Sequence, residues 1–306
     1  MNNCEKFSIF IYKYEYAPPN SSLVVNIGDY IQSLAALQFL PKNCKPNLMD
    51  RDKIEYYSGP QTTLIMNCWL RLFNGTRTIS DKISPIITSL HISNVKGIDL
   101  RTKNILKKFS PKGCRDYYTL NALKKNGIDA YFSSCLTTTL DIDYSVSDSE
   151  RTNDIIFADY NFNYDRRIKK YLNSLKIYNF NNVTKTHHIY SKKISFYDGF
   201  KIAKKLLNIY AKAKLVITTR IHAALPCLAF NTPVIFVNKV YDIRYPGLYE
   251  LLNTVGIDKN GRFNVNVYLN DKGLVENRKD YLKYANKLKE NLRDINHINI
   301  KNINFE

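Results

Sequence analysis

The sequence predicts an α/β protein, and three observations predict it. Short apolar runs alternate with amphipathic stretches along almost the whole chain, the pattern of parallel sheets covered by helices. That alternation pauses once, over residues 141–152 (DIDYSVSDSERT), a polar stretch rich in Ser and Asp that reads as a domain boundary. On each side of it, a polar cluster opens a helix: Asn26–Ile27–Gly28–Asp29 in the first half, Thr218–Thr219–Arg220–Ile221–His222 in the second. The expected architecture is two Rossmann-like domains, 1–145 and 146–306, facing a cleft. Ligands of such sheets bind outside the carboxyl ends of the strands.

In order, residues 7–11 form a first strand, followed by a polar loop with Pro18, Pro19, Asn20, Ser21 and Ser22. A helix spans 30–39, with Asp29 as its N-cap and Pro41 as its stop. Residues 63–67 and 86–92 read as buried strands and 103–109 as a short helix. Gly113 to Asp116 forms a turn before a helix over 116–125, which Asn126–Gly127 ends in left-handed geometry. A strand follows over 130–135.

The second half repeats this logic with a strand over 154–158, a helix over 165–175 and a strand near 177–180. A long amphipathic helix covers 196–213. Residues 215–217 and 234–237 are apolar strands that flank a helix of small residues, and 248–252 is a short helix. The last helix runs over 277–292, with Tyr281, Leu282, Tyr284, Ala285, Leu288 and Leu292 near one face; the tail 298–306 is Asn-rich.

Composition narrows the function classes. The chain has 306 residues, 44% of them hydrophobic, enough for real cores. None of the six cysteines (Cys4, Cys44, Cys68, Cys114, Cys135, Cys227) forms a CxxC pair, which favours free thiols in a reducing compartment over zinc or disulfides. The first twenty residues have no long apolar core or small-residue cleavage site, and no apolar run reaches the roughly 18 residues of a membrane span. A cytoplasmic protein is expected. The formal net charge is +18, but the lysine pairs are scattered rather than clustered, and no nucleic-acid signature accompanies them. A solvated basic surface is the first expectation, and peripheral contact with an anionic inner membrane face the second.

The candidate site residues follow from chemistry. Arg220 is a permanent cation with a planar fork suited to carboxylate or phosphate, and His222 can move a proton near neutral pH. Both stand where a strand opens a helix whose free N–H groups favour an anion. The plainer alternative is an Arg paired with an Asp and a His satisfied by a carbonyl. Gly28 allows close backbone approach, and Asn26 and Asp29 offer an amide and a carboxylate. Arg115 and Asp116 form either a self-paired turn or an anion clamp. His91 ends an apolar run, where a histidine is commonly a satisfied core residue, and His187–His188 looks like a surface pair with no metal-ligand spacing. No GxGxxG, GxxxxGK[ST] or GxSxG occurs.

Three segments, in order, resemble the polysaccharide pyruvyl transferase family. They are NIGDYIQSLAALQFL from Asn26, GCRDYYTLNALKKNGIDAYFSSCLTTTL from Gly113, and KLVITTRIHAALPCLAFNTPVIFVN from Lys214 with its continuation YDIRYPGLYELL. Asn231 stands in the third segment near the position where a glycine is expected before Pro233; Asn also tolerates left-handed geometry. The resemblance implies a fold similar to the GT-B glycosyltransferases and transfer of a pyruvyl group from phosphoenolpyruvate to a sugar acceptor, free or lipid-linked, as a cyclic ketal. It places the donor anion on Arg220 and the acid on His222, with residues 1–145 as the acceptor side and 146–306 as the donor side. Asp29 or Asp116 would serve as base, with Asn26, Gly28, Arg115, Asp116, His91, Thr219 and Arg244 binding substrate. No metal or redox cofactor is demanded. A nucleotide-sugar glycosyltransferase and a non-catalytic basic glycan- or membrane-associated protein are the competing expectations.

Overall fold

The computed structural model describes residues 7–13, 24–40, 45–70, 79–92, 100–109, 112–140, 144, 146–161, 163, 165–190 and 194–293. The loop expected at 18–22, the stop at 41, Cys4, Cys44, parts of the 141–152 boundary and the tail 298–306 lie outside these residues.

In chain order the described residues of the first half form β1 (Phe7–Ile11), β2 (Val25–Asn26), α1 (Ile27–Leu37), β3 (Asn47–Asp50), β4 (Thr62–Met66), β5 (Trp69–Leu70), β6 (Ile83–Ile87), β7 (His91–Ile92), α2 (Leu100–Lys108), β8 (Lys112–Cys114), α3 (Tyr117–Lys125) and β9 (Ala130–Phe132). The second half forms β10 (Ile155–Ala158), α4 (Arg166–Ser174), β11 (Val183–Thr186), β12 (Ile189–Tyr190), α5 (Phe196–Lys212), β13 (Leu215–Thr218), α6 (Ile221–Ala229), β14 (Val234–Asn238), β15 (Thr254–Ile257), β16 (Phe263–Asn266) and α7 (Tyr281–Leu292).

The α/β class with parallel sheets holds. One sheet has the order β3-β1-β4-β6 and is parallel throughout. The other has the order β11-β10-β13-β14-β15-β16, parallel except for β16. Strands β10, β13 and β14 read as unbroken apolar runs because both faces are covered. Ile156, Val216, Val234 and Phe236 point into one apolar cluster; their neighbours Ile155, Ile217, Ile235 and Val237 point into the other, beside Ile168 and Leu172 of α4.

The larger cluster runs through both halves. It holds β1, β4, α1, α5, α6 and the inner face of α7. All of α1 is buried, and Gly199 of α5 lets it lie against α1, since a Cβ there would come within 2.5 Å of the Tyr30 ring. The antiparallel β2–β12 pair ties Asn26 to Ile189 across the two halves. Helix α7 returns to the first half, where Asn291 Nδ2 donates to the Tyr131 hydroxyl at 2.7 Å. Residue Leu34, wholly buried in α1, illustrates the stakes: truncation to Ala in such a core costs roughly 2–5 kcal/mol.

Several local expectations need correction. Helix α1 begins at Ile27, three residues early, so its N-cap is Asn26 rather than Asp29. The strand expected over 86–92 is broken by Ser89, whose φ of 54° turns the chain between β6 and β7. Gly113 and Cys114 belong to β8, parallel to β9, so the 113–116 segment is a strand end plus the Asp116 N-cap of α3 rather than a free turn. The strand expected near 177–180 falls instead at β11. The helix expected over 277–292 starts at Tyr281, and Leu282 is exposed. Strand β3 and the β15–β16 hairpin were not anticipated. Asn231 has φ 53°, the left-handed geometry its position requires.

Candidate active site

Three adjacent parallel strands of the larger sheet deliver polar residues from their carboxyl ends. Asp159 follows β10, His188 follows β11, and Thr219 and Arg220 follow β13. Asp159 adopts φ 51° and its carboxylate collects the group. Oδ2 accepts from Arg220 Nε at 2.8 Å and from the His188 N–H at 3.0 Å, while Oδ1 lies 3.4 Å from His187 Nδ1. Thr219 Oγ1 donates to the Asp159 carbonyl at 2.9 Å. Thr219 therefore holds the loop that carries Arg220 and does not line the pocket.

Opposite these strand ends, the first half contributes the start of α1, Trp69 of β5, and Arg115. Together with Arg244 and Tyr245 from the loop after β14, the two sets enclose a pocket of about 100 Å³. Of the sequence candidates, Asn26, Gly28, Asp29, Arg115, Arg220, His222 and Arg244 line it. Three arginines thus face one carboxylate, Asp29. That carboxylate accepts from Gln32 Nε2 at 3.2 Å and lies 3.7 Å from Arg51 Nη1. The pocket as a whole favours an anion.

His222 is the central imidazole. It is almost wholly buried, and its Nε2 has no hydrogen-bond partner among the described residues. Burial, followed by the charge of Arg115, pushes its pKa well below 6.5 and so favours the neutral ring. Gly28 is what lets it sit there: a Cβ at that position would lie 3.0 Å from His222 Nδ1 and 3.1 Å from Asn26 Oδ1. Arg220 is tied to Asp159 through Nε alone, leaving the outer end of its fork without a partner among the described residues. The plainer expectation, an Arg–Asp pair, is thus met at one nitrogen only, and His222 meets no carbonyl among the described residues. Arg244 is held against Asp242 by paired bonds, Nε to Oδ1 at 2.9 Å among them, and its guanidinium lies over the Trp69 ring at 5.7 Å. Arg115 is buried, touches Gln32 Oε1 at 3.4 Å, and keeps Nε without a partner.

His91 and Asp116 stand behind this wall rather than in it. His91 Nδ1 and Asp116 Oδ2 are 2.7 Å apart, and Asp116 Oδ1 accepts from the Thr119 N–H at 2.8 Å. Asp116 is thus spent on a histidine and a helix cap. The His91 ring lies 5.9 Å from Trp69, which does line the pocket.

His188 corrects the surface expectation for the His187–His188 pair. His187 is exposed, but His188 is fully buried, with Nε2 2.8 Å from the Tyr210 hydroxyl and its pKa lowered by burial to about 4. Asp159, His188, Trp69 and Tyr245 are the contributors that sequence reasoning passed over. Asp159 carried a usable signal, since it directly follows a predicted strand. Among the described residues, no group of three or more His, Cys, Asp or Glu is arranged to hold a metal ion, and Cys68, Cys114, Cys135 and Cys227 are buried free thiols. No helix of the described residues is long and apolar enough to cross a membrane.

No curated protein matches the chain. A crystal structure of a functionally uncharacterised protein from Klebsiella pneumoniae is similar over 82% of this chain and 93% of its own, at 15% identity and a TM-score of 0.45. The family model of polysaccharide pyruvyl transferase matches residues 26–238, from the cap of α1 to the end of β14, and so takes in every pocket residue named above except Arg244 and Tyr245. By that match, over well more than half its length, the chain belongs to the polysaccharide pyruvyl transferase family.

Proposed function

We propose that the pocket binds phosphoenolpyruvate and that the protein transfers its pyruvyl group to a sugar of a cell-surface polysaccharide or its precursor, closing a cyclic ketal. Family membership implies a transferase of polysaccharide biosynthesis. The donor reading is carried by one observation: Arg115, Arg220 and Arg244 line, together with His222 and its unpartnered Nε2, one small pocket at the N-terminus of α6. A carboxylate and a phosphate need such cations and N–H groups. The pocket is also far smaller than the roughly 300–1,000 Å³ typical of sites for larger ligands.

In the proposed reaction, a proton from His222 adds to C3 of the donor and leaves C2 electrophilic. A sugar hydroxyl attacks C2, giving its proton to a base. The C2–O bond to phosphate breaks, and Arg220 and Arg115 stabilise the departing anion. A second hydroxyl of the same sugar then attacks C2 and closes the ketal, its proton passing to the His222 ring that gave one up in the first step. Asp29, which lines the pocket, is better placed as the base than Asp116, which stands behind its wall on His91 and the α3 cap. His222 is neutral without ligand, so its acid role rests on the donor's own negative charge raising its pKa.

Further parts of this reading are the GT-B-like division at 145/146, supported by one parallel sheet in each half, and peripheral attachment to an anionic inner membrane face, supported by the net charge of +18. Salt-sensitive binding to anionic vesicles tests the attachment. The donor is tested by thermal stabilisation with phosphoenolpyruvate and with nucleotide-sugars, on wild type and Arg220→Ala. A native-state ligand must raise the melting temperature. A shift with phosphoenolpyruvate that Arg220→Ala abolishes is expected; a shift with a nucleotide-sugar alone would move the protein to the glycosyltransferase class.

A further inference from the structure

The segment after β14 has two sides. Arg244 and Tyr245 face the small cationic pocket. Tyr241, Pro246, Tyr249 and Glu250 face a second, larger pocket of about 340 Å³, which Asp258 and Asn264 of β16 also line. The pockets are neighbours, since the Tyr245 ring packs edge-on against Tyr249 with centroids 5.7 Å apart.

The chemistry of the second pocket is opposite to that of the first. It has two carboxylates, Glu250 and Asp258, against one cation, Lys259, so it does not attract a phosphate or diphosphate. It presents aromatic faces beside short amides: Tyr241 is 36% exposed and Asn264 is exposed, while Tyr249 is fixed through its hydroxyl to Asn238 Oδ1 at 3.1 Å. An apolar ring face next to amide and carboxylate groups suits a molecule with a C–H face and a rim of hydroxyls. A pyranose has both and carries no charge. The volume is ample for one such ring and leaves room for part of the next.

We infer that this second pocket is a subsite for a neutral sugar ring of the acceptor, stacked on Tyr241 and hydrogen-bonded by Asn264. The inference rests on the sugar-acceptor reading above, and it puts this acceptor contact on the second half of the chain, where the sequence had pointed to residues 1–145. One loop then serves both substrates, with Arg244 turned toward the donor and Tyr241 toward the acceptor.

The test is saturation-transfer NMR on the full chain with the methyl glycosides of galactose, glucose, mannose and N-acetylglucosamine, on wild type, Tyr241→Ala and Asn264→Ala. Both substitutions are at exposed positions, and circular dichroism checks that each variant is folded. The expected result is transfer to ring protons of at least one glycoside with wild type, and binding roughly 3–10-fold weaker without the aromatic face. Phosphoenolpyruvate stabilisation should stay intact in both variants. If no glycoside shows transfer with wild type, or the variants match wild type, the subsite is overturned. Binding of uridine diphosphate that Tyr241→Ala abolishes would likewise overturn it, in favour of a nucleotide pocket. Loss of the phosphoenolpyruvate shift in wild type with glycoside binding retained would sink the donor reading and leave the sugar subsite standing.

Discussion

Two helices begin at the same pocket, and they treat their first N–H groups differently. At α1 the Gly28 N–H donates to Asn26 Oδ1 at 3.1 Å and the Ile27 N–H to the His188 carbonyl at 2.8 Å. At α6 the N-cap residue is Arg220, which makes no side-chain cap bond, and the Ile221 and His222 N–H groups have no partner among the described residues. An uncapped helix start costs about 1 kcal/mol relative to a capped one. The protein bears that cost at α6, where a guanidinium stands in the capping position. The closed start is built for the fold, and the open one suits an anion that completes the cap itself.

The comparison breaks most visibly at His222. Its replacement by Ala should lower turnover by roughly 10²–10⁴-fold, the range for loss of a positioned general acid, with phosphoenolpyruvate stabilisation largely kept. Near-normal turnover would end the acid assignment. A sharper measurement follows the His222 ring by NMR during titration. Without ligand it should stay neutral well below pH 6.5, and phosphoenolpyruvate should move its transition upward.

His188 links the two helix starts, with its carbonyl on α1 and its N–H on the Asp159 that holds Arg220. Its folded pKa of about 4 lies below the ordinary 6.5, so the native state disfavours the proton. The unfolded chain then binds more protons between these values, and stability falls as pH drops from 6.5 toward 4, by up to about 3 kcal/mol from this group. Asp165 and Asp242, whose pKa values are lowered, lose stability in the same direction at still lower pH. Denaturant unfolding of wild type and His188→Gln should therefore converge by about 3 kcal/mol between pH 6.5 and pH 4. Parallel curves would show that His188 is not buried neutral.

How much of this was legible in the sequence depended on the range of the interaction. Strand β1, the α5 helix and the β13-α6-β14 unit were readable because local periodicity determines them, and Arg220 with His222 stood out at a strand end. The pairing of β2 with β12 was not readable, nor was the burial of His188 beneath it, because both depend on contacts more than 160 residues apart in the chain. Asp29 was misassigned as the cap because Gly28–Asp29 looks like a cap. The observed cap is Asn26, and Asp29 faces Arg51, a partner no local pattern indicates. Arg244 sits beyond the apolar strand that positions it, and its contacts with Asp242, Trp69 and Tyr245 explain its place.

Gly28→Ala tests whether the closed helix start also serves the open one. In an ordinary helix the change would add stability, since Gly is disfavoured there by about 1 kcal/mol. Here the new methyl would press on His222 Nδ1 at 3.0 Å and on the capping oxygen of Asn26 at 3.1 Å. A displacement of a few tenths of an ångström at a reacting group should cost about tenfold in turnover, with melting temperature little changed. Unaltered turnover would mean that His222 does not need its present position.

The smallest effect separates the two helix starts directly. Asn26→Ala removes a cap and should destabilise the fold by about 1 kcal/mol in denaturant unfolding. Arg220→Ala removes no cap; it loses an ion pair whose arginine is 39% exposed, worth no more than about 1 kcal/mol and largely screened by salt. The contrast lies in ligand dependence. Phosphoenolpyruvate should still stabilise Asn26→Ala, because the α6 donors and the three arginines remain, whereas Arg220→Ala should gain nothing from it. If the two variants respond alike, the open start of α6 is not where the anion binds, and the difference between the helices is one of packing alone.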